Sequence, residues 1–344
     1  MLRRVVTAAA GLAVVVATFV FVLPRIADYR DVWAIVRELS WQELAALGCV
    51  TVLNVVTFAP PWQVAVPGLR FFPALTMSQA SASMSIVLPG GGAPGIAASV
   101  AILRVWGFPA ADVARAVSLA SIWNQLANLA YPIVGVFMLS VSGEPTAAVA
   151  SAAFVGVAIL GVAVTALALV FSSGRMARDI GDLVARALSG VRARLRRGPV
   201  GWSGESFARF RRGALDLLRR RWHVLTLATL AGSLCVFLVL LVSLRVLGVP
   251  SSQISFAEAF AAWALLRLVA SFPVTPGGIG VVELGLTAAL VGFGGNNAGV
   301  VAAVLVFRFL TIAPTVLLGL VAALTWRRHH PAEALALARG PRRP

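Results

Sequence analysis

The chain contains no lysine: all 29 of its basic residues are arginine, they face only 13 acidic residues, and 12% of its 344 positions are charged. So little charge cannot keep a chain that is 59% hydrophobic in water, which excludes an ordinary soluble globule. There are two cysteines, Cys49 and Cys235, each inside an apolar run. They read as small buried hydrophobes and not as a disulfide framework. The three histidines, His223, His329 and His330, lie at run ends among arginines and fit no ligand spacing, so no metal and no cofactor is expected. His-Glu-x-x-His, Gly-x-Ser-x-Gly and the phosphate-binding Gly-Lys-Ser/Thr are all missing, which leaves no positive case for an enzyme. The apolar-polar alternation of barrel strands is missing too, as the run Ala147–Val170 illustrates.

What is present is a series of long apolar runs. They are Val5–Leu23, Trp41–Ala59, Ala74–Leu88, Ile96–Trp106, Val113–Leu139, Ala147–Phe171, Trp222–Leu247, Phe256–Thr275, Ile279–Phe293 and Gly299–Trp326. Several reach the roughly 20 residues a bilayer crossing needs, so the expected fold is an all-α polytopic integral membrane protein. Arg3 and Arg4 precede the first run as in a signal peptide, but no small-x-small cleavage site follows, and an uncleaved first helix is expected. Residues 24–40 have the look of an interfacial helix, with Val32, Ile35, Val36 and Leu39 on one face.

The net charge of +16 is concentrated: thirteen arginines fall between Ser172 and Arg221, beside Asp179, Asp182, Glu205 and Asp216. A loop this basic stays cytoplasmic and meets anionic headgroups. No aromatic-basic surface accompanies it, so no nucleic-acid partner is expected. The chain reads as one membrane domain, residues 1–344. Its parts are a first helix and interfacial segment (1–40), a first half (41–171), the basic cytoplasmic loop (172–221), a second half (222–326) and a cytoplasmic tail (327–344).

Two related turns interrupt the runs, Pro89-Gly90-Gly91-Gly92-Ala93-Pro94-Gly95 and Pro276-Gly277-Gly278-Ile279-Gly280-Val281-Val282-Glu283. Proline ends a helix and glycine tolerates left-handed backbone, so each could simply be a tight connection. Irregular backbone at membrane depth must be buried in protein or line a wet cavity, and its double occurrence favours the cavity. Pro89, Gly90, Gly91 and Pro276 are therefore expected to act as hinges of broken helices. With both termini cytoplasmic, 23 of the 29 arginines lie inside if each broken pair returns to its starting side. Arg25, Arg30, Arg37 and Arg245 are then outside. The pair Ala74–Trp106 enters from the cytoplasm and the pair Phe256–Phe293 from outside, the pattern of two inverted halves. The run Ile96–Trp106 has 11 residues, about 17 Å of helix against ~30 Å of hydrocarbon. The second pair is longer, and length alone leaves its reach open.

Three ionisable residues have no place in water: Arg267, Glu283 and Arg308. Helical rise from the nearest run ends puts all three about 14–17 Å deep, near mid-membrane. Intramembrane charge is costly and marks a functional site by default. Glu283 is expected to pair with one arginine while the other, or both, faces an anionic headgroup. Backbone N–H groups at Gly277, Gly278 and Gly280 would assist. A purely structural ion-pair network is the alternative. In the first half Asn124, Asn128 and Tyr131 share a helical face, and suit a headgroup path or interhelical hydrogen bonds equally. Ser78, Ser81 and Ser85 form a small-residue stripe suited to close packing.

The segment Arg267–Glu283, followed by Arg308, Pro314 and Gly319 on the next helix, resembles the signature of the lysylphosphatidylglycerol synthase transmembrane-region family, also called flippase-like. The first-half glycine turn and Trp123-Asn124-x-Leu126-Ala127-Asn128-x-Ala130-x-Pro132 look similar to its actinobacterial branch. The resemblance covers Trp41 to Trp326. It implies a bacterial plasma-membrane protein whose partners are lipids, moving an anionic or modified phospholipid or a polyprenyl-linked lipid between leaflets. In full-length synthases a soluble transferase domain follows. Here a short tail follows Trp326, so transferase activity is not expected to carry over. A non-transporting partner of a cell-envelope lipid synthase and an intramembrane lipid-modifying enzyme are the alternative readings. The first-half turn has Ala93, Pro94, Ala97 and Ala98 where many relatives place acidic and basic residues, which moves the expected site to the second half.

Overall fold

The computed structural model describes residues 37–88, 92–142, 158, 161–162, 164–165, 204–271 and 276–325. The first apolar run, most of the run 147–171, the stretch 172–203 and the tail lie outside these residues, as do Pro89, Gly90 and Gly91. Among the described residues there is no strand. The helices described are α1 Trp41–Val56, α2 Pro60–Ala65, α3 Phe71–Val87, α4 Ala93–Val105, α5 Ala110–Ser142, α6 Gly204–Val246, α7 Phe256–Ala270, α8 Val281–Gly292 and α9 Asn297–Thr325, with a 3-10 turn at Pro276–Gly278.

Local chemistry explains most of these boundaries. Ser40 and Ser255 cap α1 and α7 in reciprocal boxes with Glu43 and Glu258 three residues on. Pro60 and Pro61 open α2 and Pro94 opens α4, where the missing N–H costs nothing. Two helices stop on the same device, Arg-Val-x-Gly-x-Pro. After α4, Gly107 turns left-handed (φ 87°) and Arg104 Nη1 donates to Phe108 O at 2.8 Å. After α6, Gly248 does so (φ 78°), and Arg245 donates to Val249 O and Ile254 O, both at 2.8 Å. Proline next prevents continuation. Arg245 is thus held by loop carbonyls at the end of α6.

Among the described residues, four segments are long and apolar enough to cross a membrane: Trp41–Ala65, Ala110–Val141, Leu218–Val246 and Asn297–Ala323. The arms of the two broken pairs are shorter. α3 and α4 have 17 and 13 residues, about 26 and 20 Å. α7 and α8 have 15 and 12, about 22 and 18 Å. The second pair is therefore no longer than the first, because α7 ends at Ala270 and α8 begins only at Val281. α6 begins at Gly204, inside the stretch read as a loop, since Ala214, Leu215, Leu217 and the arginines between 209 and 221 are all good helix formers.

The halves embrace each other. α5, which follows the first broken pair, packs along α7 of the second, and α9 packs along α3 of the first; these are the two most extensive interhelical contacts. Each rests on a glycine at close approach. A Cβ on Gly135 would lie 2.9 Å from Ala261 Cα, and one on Gly319 only 2.2 Å from Ser83 Cβ. α1 packs on α6 between them. A core of Phe237, Phe260, Trp263 and Tyr131, rings edge-on or tilted, ties α5, α6 and α7 together. Outward-facing positions carry Phe72, Val52, Phe137, Leu227, Leu284 and Leu317, all exposed. Large apolar side chains on the perimeter of apolar helices face lipid, and the chain is a multi-pass helical membrane protein. Cys235 is buried as expected, whereas Cys49 lies exposed, because α1 is peripheral and turns that face outward.

Candidate functional site

The three intramembrane charges divide into two groups on either side of the second break. Glu283 sits at the third position of α8 and is buried (5% exposed). One carboxylate oxygen accepts the Gly280 N–H at 2.6 Å, closing the open N-terminus of α8. The other accepts from Arg308 Nε, and Arg308 Nη2 donates to Gly277 O at 2.8 Å. Gly277, Gly278 and Gly280 have φ of 60°, 69° and 85°, values only glycine adopts without strain. Arg308 on α9 thereby ties both ends of the turn. Glu283, Arg308 and the three glycines form a lock in which the carboxylate and guanidinium pair with each other and with the backbone of the turn.

Arg267 lies elsewhere. On the last full turn of α7, its Nε donates to Asn128 Oδ1 at 2.8 Å and its Nη2 to Ser233 Oγ at 3.1 Å. Its guanidinium lies 5.4 Å from the Trp263 ring centre and 5.9 Å from that of Tyr131. Asn128 is fixed in turn by donating to Gln125 and Ser271, and Ser271 donates back to the Arg267 carbonyl. Every group touching Arg267 is neutral. No carboxylate pairs with it among the described residues. Of the five N–H donors of a guanidinium two are used here, which leaves about three.

Those donors border a cavity of about 680 Å³ between the halves. Its walls come from the end of α1, from α2 to α7, and from Ser271. Asn124 lines it, while Asn128, four residues on, is buried and holds Arg267. The stripe Ser78, Ser81 and Ser85 lines it as well as packing: Ser81 Oγ meets Ser99 Oγ at 2.7 Å, and Gly95 abuts Ser85. Gly92 and Ala93, where α4 begins with no side-chain cap, also open onto it. The two breaks approach each other, since a Cβ on Gly277 would touch Ile86, three residues before Pro89.

Sequence reasoning therefore found the charged residues and both asparagines but left their partition open. It missed Ser233, Trp263 and Ser271 as neighbours of Arg267. Ser271, four residues after Arg267 on the same helix, was within reach of helical spacing. Ser233 and Trp263 carried no signal beyond membership of apolar runs.

Short broken arms clasped by long helices, with an arginine in the cavity between them, define a polytopic helical membrane protein. The chain belongs to the family described as lysylphosphatidylglycerol synthase TM region, whose model matches residues 8–319. A search of curated proteins found none that matches the chain.

Proposed function

We propose that the protein is a lipid flippase or transporter that takes an anionic or modified lipid headgroup into the cavity beside Arg267. The observation that carries this reading is a guanidinium on an apolar helix that lines a large cavity, with only neutral partners among the described residues and with unused donors. A desolvated charge without a counterion is unfavourable, and a phosphate arriving with its lipid would supply one. The open N-terminus of α4 adds partial positive charge on the same cavity. The reciprocal packing of α5 on α7 and α9 on α3 favours two halves of inverted topology, with both termini cytoplasmic. Transport would then rock one broken pair against the other about the turns near Pro89 and Pro276. In this scheme Glu283 and Arg308 hold the second turn together and do not touch the lipid. In this reading the protein binds and moves the lipid and does not convert it.

The test is leaflet equilibration. Purified protein in vesicles should expose inner-leaflet fluorescent phosphatidylglycerol to a membrane-impermeant quencher faster than protein-free vesicles do. Arg267→Gln should slow this by about tenfold or more, roughly what one charge-assisted phosphate contact is worth. It should do so without loss of the folded protein in graded SDS unfolding. Equal rates with and without protein, across phosphatidylglycerol and polyprenyl phosphates, would refute the proposal.

A further inference from the structure

Resting on that reading, we infer that the cavity selects a headgroup carrying one negative phosphate and uncharged hydroxyls, and discriminates against headgroups that carry an added amine. The charge inventory of the wall supports this. Among the described residues lining the cavity, Arg267 is the one ionisable group, with no aspartate, glutamate or histidine. A phosphodiester neutralises it. An aminoacylated headgroup brings ammonium groups that would find no carboxylate and would share a poorly hydrated space with a guanidinium, the like-charge case that costs most.

The rest of the described wall is neutral and mixes apolar residues, among them Phe58, Trp62, Ile96 and Val236, with hydrogen-bonding ones. Ser85, Ser121, Asn124 and Thr229 line the cavity and make no hydrogen bond to another described residue. Four such groups suit the hydroxyls of a glycerol or a sugar, which donate and accept in turn. A second feature places the phosphate. In the second half the N-terminus of α8 is closed by the carboxylate of Glu283. In the first half the N-terminus of α4 has no side-chain cap and opens onto the cavity at Gly92 and Ala93. The lipid phosphate would occupy, in the first half, the anion position that Glu283 fills in the second, with Arg267 as its counterion.

Native mass spectrometry of the full chain in detergent, titrated separately with phosphatidylglycerol, phosphatidylcholine and lysylphosphatidylglycerol, reads this selectivity without requiring movement. Phosphatidylglycerol adducts should exceed those of lysylphosphatidylglycerol by about tenfold, and phosphatidylcholine should bind less than phosphatidylglycerol. Asn124→Asp, an isosteric change at an unbonded cavity position, adds the missing carboxylate and should shift the ratio toward lysylphosphatidylglycerol. Asn297→Asp puts the same carboxylate at an exposed position outside this cavity and should leave the ratio unchanged. Adducts of lysylphosphatidylglycerol equal to or above those of phosphatidylglycerol, or a ratio that Asn124→Asp leaves in place, would overturn the inference. Glycerol 3-phosphate added as competitor separates sources: displacement at concentrations similar to the lipid supports the phosphate-polyol selectivity but points to a soluble cargo. Selective binding without leaflet movement would remove the transport reading while this one stands.

Discussion

Neutralising either member of the Glu283–Arg308 pair should unfold the second turn more than it alters headgroup chemistry. The Glu283 and Arg308 side chains are 6% and 13% exposed. Removing one partner of a pair this buried costs about 3–5 kcal/mol. Glu283→Gln keeps an acceptor for Gly280 N–H, and Arg308 keeps Gly277 O, so part of that is retained. The expected loss is about 3 kcal/mol for Glu283→Gln and about the same for Arg308→Gln. The double variant leaves no orphaned charge and should lose about 2 kcal/mol less than the sum of the two. Reversible SDS unfolding in mixed micelles, followed by tryptophan fluorescence, measures all four corners of the cycle. Arg267→Gln is the contrast, because it removes a charge that has only neutral partners. It should cost about 1 kcal/mol or less while slowing lipid movement. Additivity of the two pair variants within ~0.5 kcal/mol would refute the lock. So would an Arg267→Gln loss as large as that of Arg308→Gln.

Gly277→Ala places a Cβ at φ 60° and within 3.2 Å of Ile86 Cγ2, so it should destabilise by about 1–2 kcal/mol in the same assay. Gly319→Ala forces a methyl to 2.2 Å from Ser83 Cβ and should separate α9 from α3 at a cost of about 2 kcal/mol, seen as a lower unfolding midpoint. Ser83→Gly should restore most of that loss, and absence of rescue would mean that this contact does not set the packing.

Much of the fold was legible in the sequence. Apolar runs of membrane length can only be helices here, since every backbone polar group must be satisfied within the segment. The breaks at the two turns followed from their proline and glycine content, and in the second turn the three glycines are left-handed. The lengths of the second pair were overestimated, because an apolar run records what lipid tolerates and not where the hydrogen-bond ladder stops. Phe272 and Val274 extend the apolar run in the sequence, yet Ser271 and residues 276–280 are not part of an α-helix. The start of α6 was missed for the converse reason: arginine-rich residues looked like a loop although their helix propensity is high.

By itself the sequence determined that three charges fall within apolar runs, that proline-glycine turns interrupt the helices there, and that each buried charge needs partners. It did not determine which arginine serves Glu283. Arg267 lies 16 residues before it and Arg308 25 after, at similar depth on different helices. Depth follows from rise along one helix, but pairing depends on how helices are rotated and how closely they approach. That is decided where Gly319 meets Ser83 and Gly135 meets Ala261, contacts between residues far apart in the chain. Those contacts turn Arg308 onto the glycine turn and leave Arg267 facing the cavity.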